Sequence, residues 1–491
     1  MIVAAIDAPD VDWLALSPVL APLAASGILL LAAVLVPARA RNAVGAVVAG
    51  AGFLVAGVLA GVVYGRSAEA TLLIAESMTR DRLAALAQIV IAGAGLLTVL
   101  VAWGAGRRDH VGEYYALLAV AGAGMLFFVS AENLMTLFLG LEWFSIALYV
   151  LTALDTDRER SLEAGLKYLI VGSFGSAVLL FGAALTYGAT GELGFNAIRI
   201  AEGADDPLFV TGLAMLLAGL AFKASVAPFH MWTPDVYQGA PTSVAAFMSA
   251  ATKAAALVVM LRLLVVAFPE QSEIWTVAVA VLAIVSLVWG NLAALAQKDV
   301  KRLLAYSSVS QAGFMLIAVA ANNELGGRAL LFYLVPYAAA SIGAFAVVAA
   351  RERELGADVT LERLEGFGWE RPYHGVAMWV FMLGFAGFPL TGGMLGKFYV
   401  FSAAYEAGWW WLVVIGVLAT AVSIAYYLSV VRAMYMRPGA SGELAVAGGA
   451  PPTDPVLAAA IGACVVVTVG TFFFVQPLVD LARDAIAQLP L

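Results

Sequence analysis

Apolar runs of about twenty residues follow one another from end to end of this 491-residue sequence, and they limit the fold more than any motif does. A helix rises about 1.5 Å per residue, so each run can cross the roughly 30 Å hydrocarbon core of a bilayer. Lipid offers no partners to backbone amides, so only helices or closed barrels can span it. The short alternating segments of a barrel do not occur here. Hydrophobic residues make up 63% of the chain and charged residues 12%, and the mean hydropathy is +0.94. A soluble chain of this length needs far more charge to cover its surface. The expectation is an all-α polytopic membrane protein.

Hydropathy windows of about 19 residues place spans near 14–36, 43–64, 83–103, 114–130, 133–154, 164–189, 208–239, 241–266, 274–296, 302–320, 329–350, 375–404, 409–433 and 455–476. That makes about fourteen transmembrane helices, and an even number puts both termini on one side. Arg39, Arg41, Arg107, Arg108, Arg158, Arg160, Lys298, Lys301, Arg302, Arg351, Arg353, Arg363, Arg371, Arg432 and Arg437 fall on one face. Arg66, Arg80, Arg82, Arg199, Arg262, Arg328 and Arg483 fall on the other. Cytoplasmic loops carry the excess of Lys and Arg. Both termini are therefore expected on the non-cytoplasmic side, in company with Asp7, Asp10 and Asp12. The start, MIVAAIDAPDVDW, has no basic n-region and reads as leading into a retained span rather than a cleaved signal.

The remaining composition narrows the function classes. The net charge of −8 lies in loops, and no basic stripe points to nucleic acid. One cysteine, Cys464, sits inside the apolar run AAAIGACVVVTVG, so disulfides, thiolate metal sites and iron–sulfur clusters held by this chain alone are excluded. His110, His230 and His374 are far apart and show no ligand spacing. Glycine strings at 91–95 and 121–124 follow no strand and precede no Lys-Ser/Thr, so they read as helix packing rather than phosphate loops. No metal or cofactor is expected in this chain.

Two spans are interrupted and resemble each other: GLAMLLAGLAFKASVAPFHMW and GVAMWVFMLGFAGFPLTGGMLGKFYVF. Each is an apolar half-helix expected to stop at a proline, Pro228 or Pro389, because proline lacks an amide donor and clashes with the preceding turn. Irregular backbone at membrane depth is tolerated only in protein or a watery cavity. Paired interruptions point to an ion path and an internal repeat. The interrupted spans are the seventh and twelfth, five apart, which suggests two inverted five-helix repeats. The expected division is 1–113 for an N-terminal three-helix segment, 114–266 and 267–433 for two half-channel repeats, and 434–491 for the last helix and tail.

Outside the basic loops stand Lys167, Lys223, Lys253 and Lys397, joined by the acid Glu142. A lysine at the centre of a span costs about 2.5–3.5 kcal/mol on insertion scales. Lys253 is near the middle of the eighth span, too deep to snorkel. Lys223 is expected about one turn before its break, and Lys397 follows the second break. Lys167 begins the sixth span, closer to the surface, where an ordinary interfacial lysine is the alternative reading. Glu142 and Lys223 are either a static ion pair or a switch. His230, in APFHMWTPD, is either a helix-end donor or a relay group. Burial disfavours charged lysine and a carboxylate restores it, so lysine with a movable carboxylate partner can take up and release protons. Arginine cannot, because it does not give up its proton.

PFHMWTPDVYQGAPTSV at 228–244 and KRLLAYSSVSQAGF at 301–314 resemble the proton-conducting antiporter-like subunits of NADH-quinone oxidoreductase, respiratory complex I, and the subunit N branch most. The resemblance implies fourteen helices, two inverted five-helix repeats and broken helices seven and twelve. It implies that Glu142 is the helix-five glutamate, Lys167 the bridging lysine of RSLEAGLKYLI, Lys223 the helix-seven lysine, Lys253 the helix-eight lysine and Lys397 the exit lysine of helix twelve. Lys397 speaks against the subunit M branch, which has glutamate there, and no long lateral helix after the last span speaks against subunit L. Gln311 stands where related sequences often have histidine, so a central relay would need water or hydroxyls such as Ser307 and Ser310. The implied partners are the other membrane subunits of complex I, especially neighbouring antiporter-like subunits, within the bacterial inner membrane. NADH, flavin, iron–sulfur clusters and quinone would belong to partner subunits. The alternatives are a subunit of a multi-component cation/proton antiporter, or a structural subunit retaining an inactive channel.

Overall fold

The computed structural model describes residues 11–105, 110–202, 206–437 and 454–491. Asp7, Asp10, Arg107 and Arg108, invoked above for orientation, lie outside the described residues. The chain is a helical bundle. Three helices come first, α1 Trp13–Leu35, α2 Ala38–Arg66 and α3 Arg82–Ala102. A small hairpin, β1 Thr71–Leu73 and β2 Met78–Arg80, separates the last two.

The next group contains α4 Val111–Phe128, α5 Leu134–Thr152, α6 Glu159–Thr190, the short α7 Phe195–Ile200, α8 Pro207–Lys223 and α9 Thr233–Gly239. It ends in one long helix: α10 Thr242–Phe247 passes through a π-helical turn, Met248–Thr252, into α11 Lys253–Ala267. The following group is α12 Ser272–Leu295, α13 Val300–Ala320, α14 Glu324–Leu355, the short α15 Phe367–Glu370, α16 Pro372–Ala386, α17 Gly392–Glu406 and α18 Trp410–Met436. α19 Pro455–Phe473 and α20 Val475–Ile486 complete the chain.

Local sequence explains many of the helix starts. Asp12, Asp81, Asn133, Asp206, Asp299, Asn323 and Asp454 each accept a hydrogen bond from an amide of the helix they precede, satisfying a donor that would otherwise lack a partner. Among the described residues, 12 helices are long and apolar enough to cross a membrane. The expected fourteen takes α8 with α9, and α16 with α17, as one crossing each in addition. The halves fall outside the twelve because α8 has 17 residues and α16 and α17 have 15 each.

The packing is graded. The long helix from Thr242 to Ala267, α13 and α14 are almost wholly buried, whereas about a third or less of the residues of α1, α18 and α19 are buried. A helix hydrophobic all round belongs in lipid or in a core, and this bundle uses both environments. The interrupted elements lie beside that innermost layer.

The breaks begin earlier than the prolines suggest. α8 ends at Lys223, with Ser225 in the left-handed region at φ 59°, so Lys223 occupies the last turn itself rather than a turn before the break. α16 ends at Ala386, where Gly387 takes φ 81°, a conformation glycine adopts without a Cβ clash. Proline disfavours helical backbone in the residue before it, so each interruption extends upstream of Pro228 and Pro389.

Candidate functional site: buried lysines at the helix interruptions

Lys223, Lys253 and Lys397 are 1%, 0% and 4% exposed. None is within ion-pair distance of a carboxylate among the described residues. Their partners come from interrupted backbone and hydroxyl groups instead. Lys223 Nζ donates to Ser145 Oγ at 2.6 Å and to Tyr168 OH at 3.4 Å, and lies 4.7 Å from the Phe144 ring centroid. Lys253 Nζ donates to the carbonyl of Ala224 at 3.1 Å, the residue that caps broken α8. Lys397 Nζ donates to the carbonyl of Ala386 at 3.3 Å, the last residue of α16, and to Thr420 Oγ1 at 3.5 Å. The Phe314 ring centroid is 4.2 Å from that amine.

A carbonyl freed by a helix end is an acceptor with spare lone pairs. It can hold a neutral or a charged amine without committing it to a permanent ion pair. Lys253 also directly follows the π-helical turn, which widens the helix where the side chain departs.

Glu142 lies on α5 three residues before Ser145, on the same face. Its Oε1 is buried without a hydrogen-bond partner among the described residues. Ser145, which accepts from Lys223 and donates to the carbonyl of Leu141, thus lies one turn from Glu142 on that face. A direct Glu142–Lys223 ion pair is not present among the described residues. His230 is buried in the irregular stretch after α8, its ring 6.1 Å from Trp289 and 6.2 Å from Tyr306. Lys167 is set apart from the row. Its side chain is 45% exposed and pairs with Glu163 at 2.7 Å and Asp235 at 2.8 Å.

Beside the Lys397 site lies a polar cluster centred on Gln311. Its Nε2 donates to Tyr427 OH at 2.9 Å and to the carbonyl of Phe385 at 3.0 Å, while Tyr333 OH donates to its Oε1 at 2.6 Å. Ser307 Oγ lies 2.6 Å from Tyr427 OH. Phe385 adjoins Ala386, which accepts from Lys397, so this network reaches the backbone partner of Lys397. The two tyrosines were not read from sequence. Aromatic residues in apolar runs give no local sign that their hydroxyls converge.

The reading that every other basic residue lies in a loop needs correction. Arg262, within α11, is 2% exposed and bidentate to Asp81 at 2.5 and 2.9 Å, with Glu132 at 3.4 Å. Lys301, at the start of α13, is also 2% exposed and pairs with Glu352 at 3.5 Å. Both have carboxylate partners that are distant in sequence, which hydropathy cannot reveal.

Residues 131–423, which hold Glu142 and all four lysines, match the family described as "NADH:quinone oxidoreductase/Mrp antiporter, TM". The chain belongs to this family. Within this oxidoreductase/antiporter family it is 44% identical to NADH-quinone oxidoreductase subunit N of Salinibacter ruber, over 81% of this chain and 79% of the relative. It is 36% identical to subunit N 2 of Roseiflexus castenholzii over 97% of both chains. A chain of respiratory complex I from Thermus thermophilus superposes with a TM-score of 0.79, at 35% identity, covering 95% of this chain and 99% of that one. A chain of the Mrp complex from Dietzia shares the fold, with a TM-score of 0.86 at 22% identity over 97% of each. Among the described residues no group of three His, Cys, Asp or Glu is placed to hold a metal.

Proposed function

We propose that this chain is a proton-translocating membrane subunit of NADH-quinone oxidoreductase, with electron transfer from NADH to quinone carried out in other subunits. The observation that carries the reading is the row of three fully buried lysines, each held by neutral groups and two of them by carbonyls at the ends of interrupted helices. Glu142 and Lys223 form the input, with Ser145 as the hydroxyl that holds the amine. Lys253 is the central carrier, the hydroxyl network around Gln311 links the halves, and Lys397 is the exit. His230 lies beside the first break as a relay group. Lys167 stands at the rim, holding Asp235 at the mouth of the first half.

The flavin, iron–sulfur clusters, NADH and quinone belong to partner subunits, and the nearest partners are other antiporter-like chains. The basic-residue excess favours a cytoplasmic position for the face bearing Arg158, Lys298 and Arg353, with both termini opposite, in a bacterial inner membrane. The two five-helix units divide near residue 266. Lys253→Met in the native complex tests the reading. NADH-driven proton uptake by inverted vesicles is expected to fall with the complex assembled, and undiminished pumping would remove Lys253 from the path. Co-purification with flavin and iron–sulfur subunits distinguishes this assignment from a free-standing cation/proton antiporter.

A further inference from the structure

Beyond the lysine row, a second polar line runs inward from the basic face. A cavity of about 310 Å³ is lined by Asp155, Arg158, Thr242, Ser243, Glu352 and Arg353, among others. That is room for on the order of ten waters, at about 30 Å³ each. On its wall sits a closed polar triangle. Lys301 Nζ donates to Thr242 Oγ1 at 3.1 Å and to the carbonyl of Ala240 at 2.9 Å, and lies 3.5 Å from Glu352 Oε1. Thr242 Oγ1 donates to Glu352 Oε2. Glu352 remains 15% exposed, so it meets the cavity while its partner lysine is sealed behind it.

Thr242 opens the helix that continues through the π turn to Lys253, and Glu352 lies near the end of α14, which packs along that helix. Seven residues on, about 10 Å along the axis and on the same face, Ser249 Oγ lies 2.7 Å from Ser341 Oγ of α14. Tyr337 OH donates to the carbonyl of Ser249 at 3.0 Å. Lys253 follows Ser249 by one turn. Glu352 and Ser341 are eleven residues apart, three helical turns, so both helices present their polar groups to the same seam. Between the two polar levels the helix carries Ala245 and Ala246, while α14 carries Phe345 and Val348 on that face and Ala349 beside Glu352.

We infer that Glu352, with Lys301 and Thr242, is a proton-uptake site that loads Lys253 along the seam between the helix Thr242–Ala267 and α14. This rests on the proposed proton-translocating function. A proton from the aqueous face, carried as hydronium through the cavity water, binds the Glu352 carboxylate, and Lys301 holds that group in place. The proton leaves Glu352 on water admitted along the seam, past Phe345, reaches the Ser249–Ser341 hydroxyl pair and ends on the neutral amine of Lys253. Glu352 then returns to carboxylate, so proton and charge balance over the cycle.

The test uses the native complex in inverted membrane vesicles, comparing protons moved per NADH oxidised. Glu352→Gln keeps a hydrogen-bonding group beside Thr242 and Lys301 but cannot carry the proton. Ala349→Leu fills the cavity wall beside Glu352 without replacing a titratable group. Both are expected to lower the ratio as much as Lys253→Met does, with the complex intact on native gels. Loss in Lys253→Met with full pumping in Ala349→Leu and Glu352→Gln overturns the uptake site and leaves the lysine row standing. So does an effect of Glu352→Gln confined to assembly, with Ala349→Leu normal, which marks a static ion pair. Full pumping in Lys253→Met overturns the underlying function itself.

Discussion

The amine of Lys253 and the carbonyl oxygen of Ala224 lie 3.1 Å apart, joining the middle of one long helix to the cut end of another. The carbonyl is available because α8 stops at Lys223. Were α8 to continue, that oxygen would accept from its own helix. The interruption and the buried amine are thus two parts of one device, and Lys397 with Ala386 repeats it in the second half.

That relationship separates charge from proton exchange at position 253. Lys253→Arg keeps the cation and donors to the Ala224 carbonyl but gives up no proton at physiological pH. Proton translocation in inverted vesicles should be lost in Lys253→Arg as fully as in Lys253→Met. Recovery by arginine would assign Lys253 an electrostatic role only.

Gln311 ties together Tyr333, Tyr427 and the Phe385 carbonyl. Gln311→Leu leaves the buried Tyr333 hydroxyl without its acceptor and the Phe385 carbonyl without that donor. The expected destabilisation is about 1–3 kcal/mol, read as a lower thermal midpoint. A drop in protons moved per NADH oxidised should accompany it. Tyr333→Phe, which leaves only the Gln311 Oε1 acceptor without its donor, should be milder on stability than Gln311→Leu.

Arg262 neutralises two buried carboxylates at once. Arg262→Met strands both and should cost about 3–5 kcal/mol, seen as poor yield of the assembled complex. Adding Asp81→Asn should recover part of the loss. An Arg262→Met complex of normal yield and stability would contradict the assigned pairing.

Glu132 lies between α4 and α5, outside the spans, and gives a pH signature. Burial pushes its carboxyl from 4.5 up to about 7, against the pull of Arg262, while Asp81 and Glu76 add to the rise. Asn196 Nδ2 donates to its Oε1 at 3.1 Å. The folded state therefore holds a proton that the unfolded state releases between about pH 4.5 and 7. Stability contributed by this group should fall as pH rises through that interval and level off above it. Glu132→Gln should flatten that part of the thermal-midpoint profile. Identical slopes in both proteins would show that Glu132 does not titrate there.

Lys167 makes partly exposed ion pairs with Glu163 and Asp235. Exposed pairs contribute little, so Lys167→Ala should change stability by less than about 1 kcal/mol. Its effect on pumping should be smaller than that of Lys253→Met, since Arg302 still holds Asp235 at 2.5 Å. An equal loss would move Lys167 from the rim into the path.

Hydropathy and punctuation determined the spans, the two interruptions and the depth of Lys223, Lys253 and Lys397. Those properties depend on neighbours within a turn or two, because the cost of a cation in hydrocarbon and the lack of a proline amide are local. Sequence alone places Arg262 in a loop and Lys301 among basic-loop residues, whereas both are buried. What protects them is Asp81, Glu132 and Glu352, residues brought near only when α3, α11, α13 and α14 pack. The same holds for Gln311, whose hydroxyl partners come from α14 and α18, and for Lys223, whose amine donates to Ser145 rather than pairing directly with the Glu142 expected to face it. The tertiary structure decided which polar groups meet. A buried charge or amide is tolerated according to its partners, and partners across a helix interface leave no periodic trace in either sequence segment.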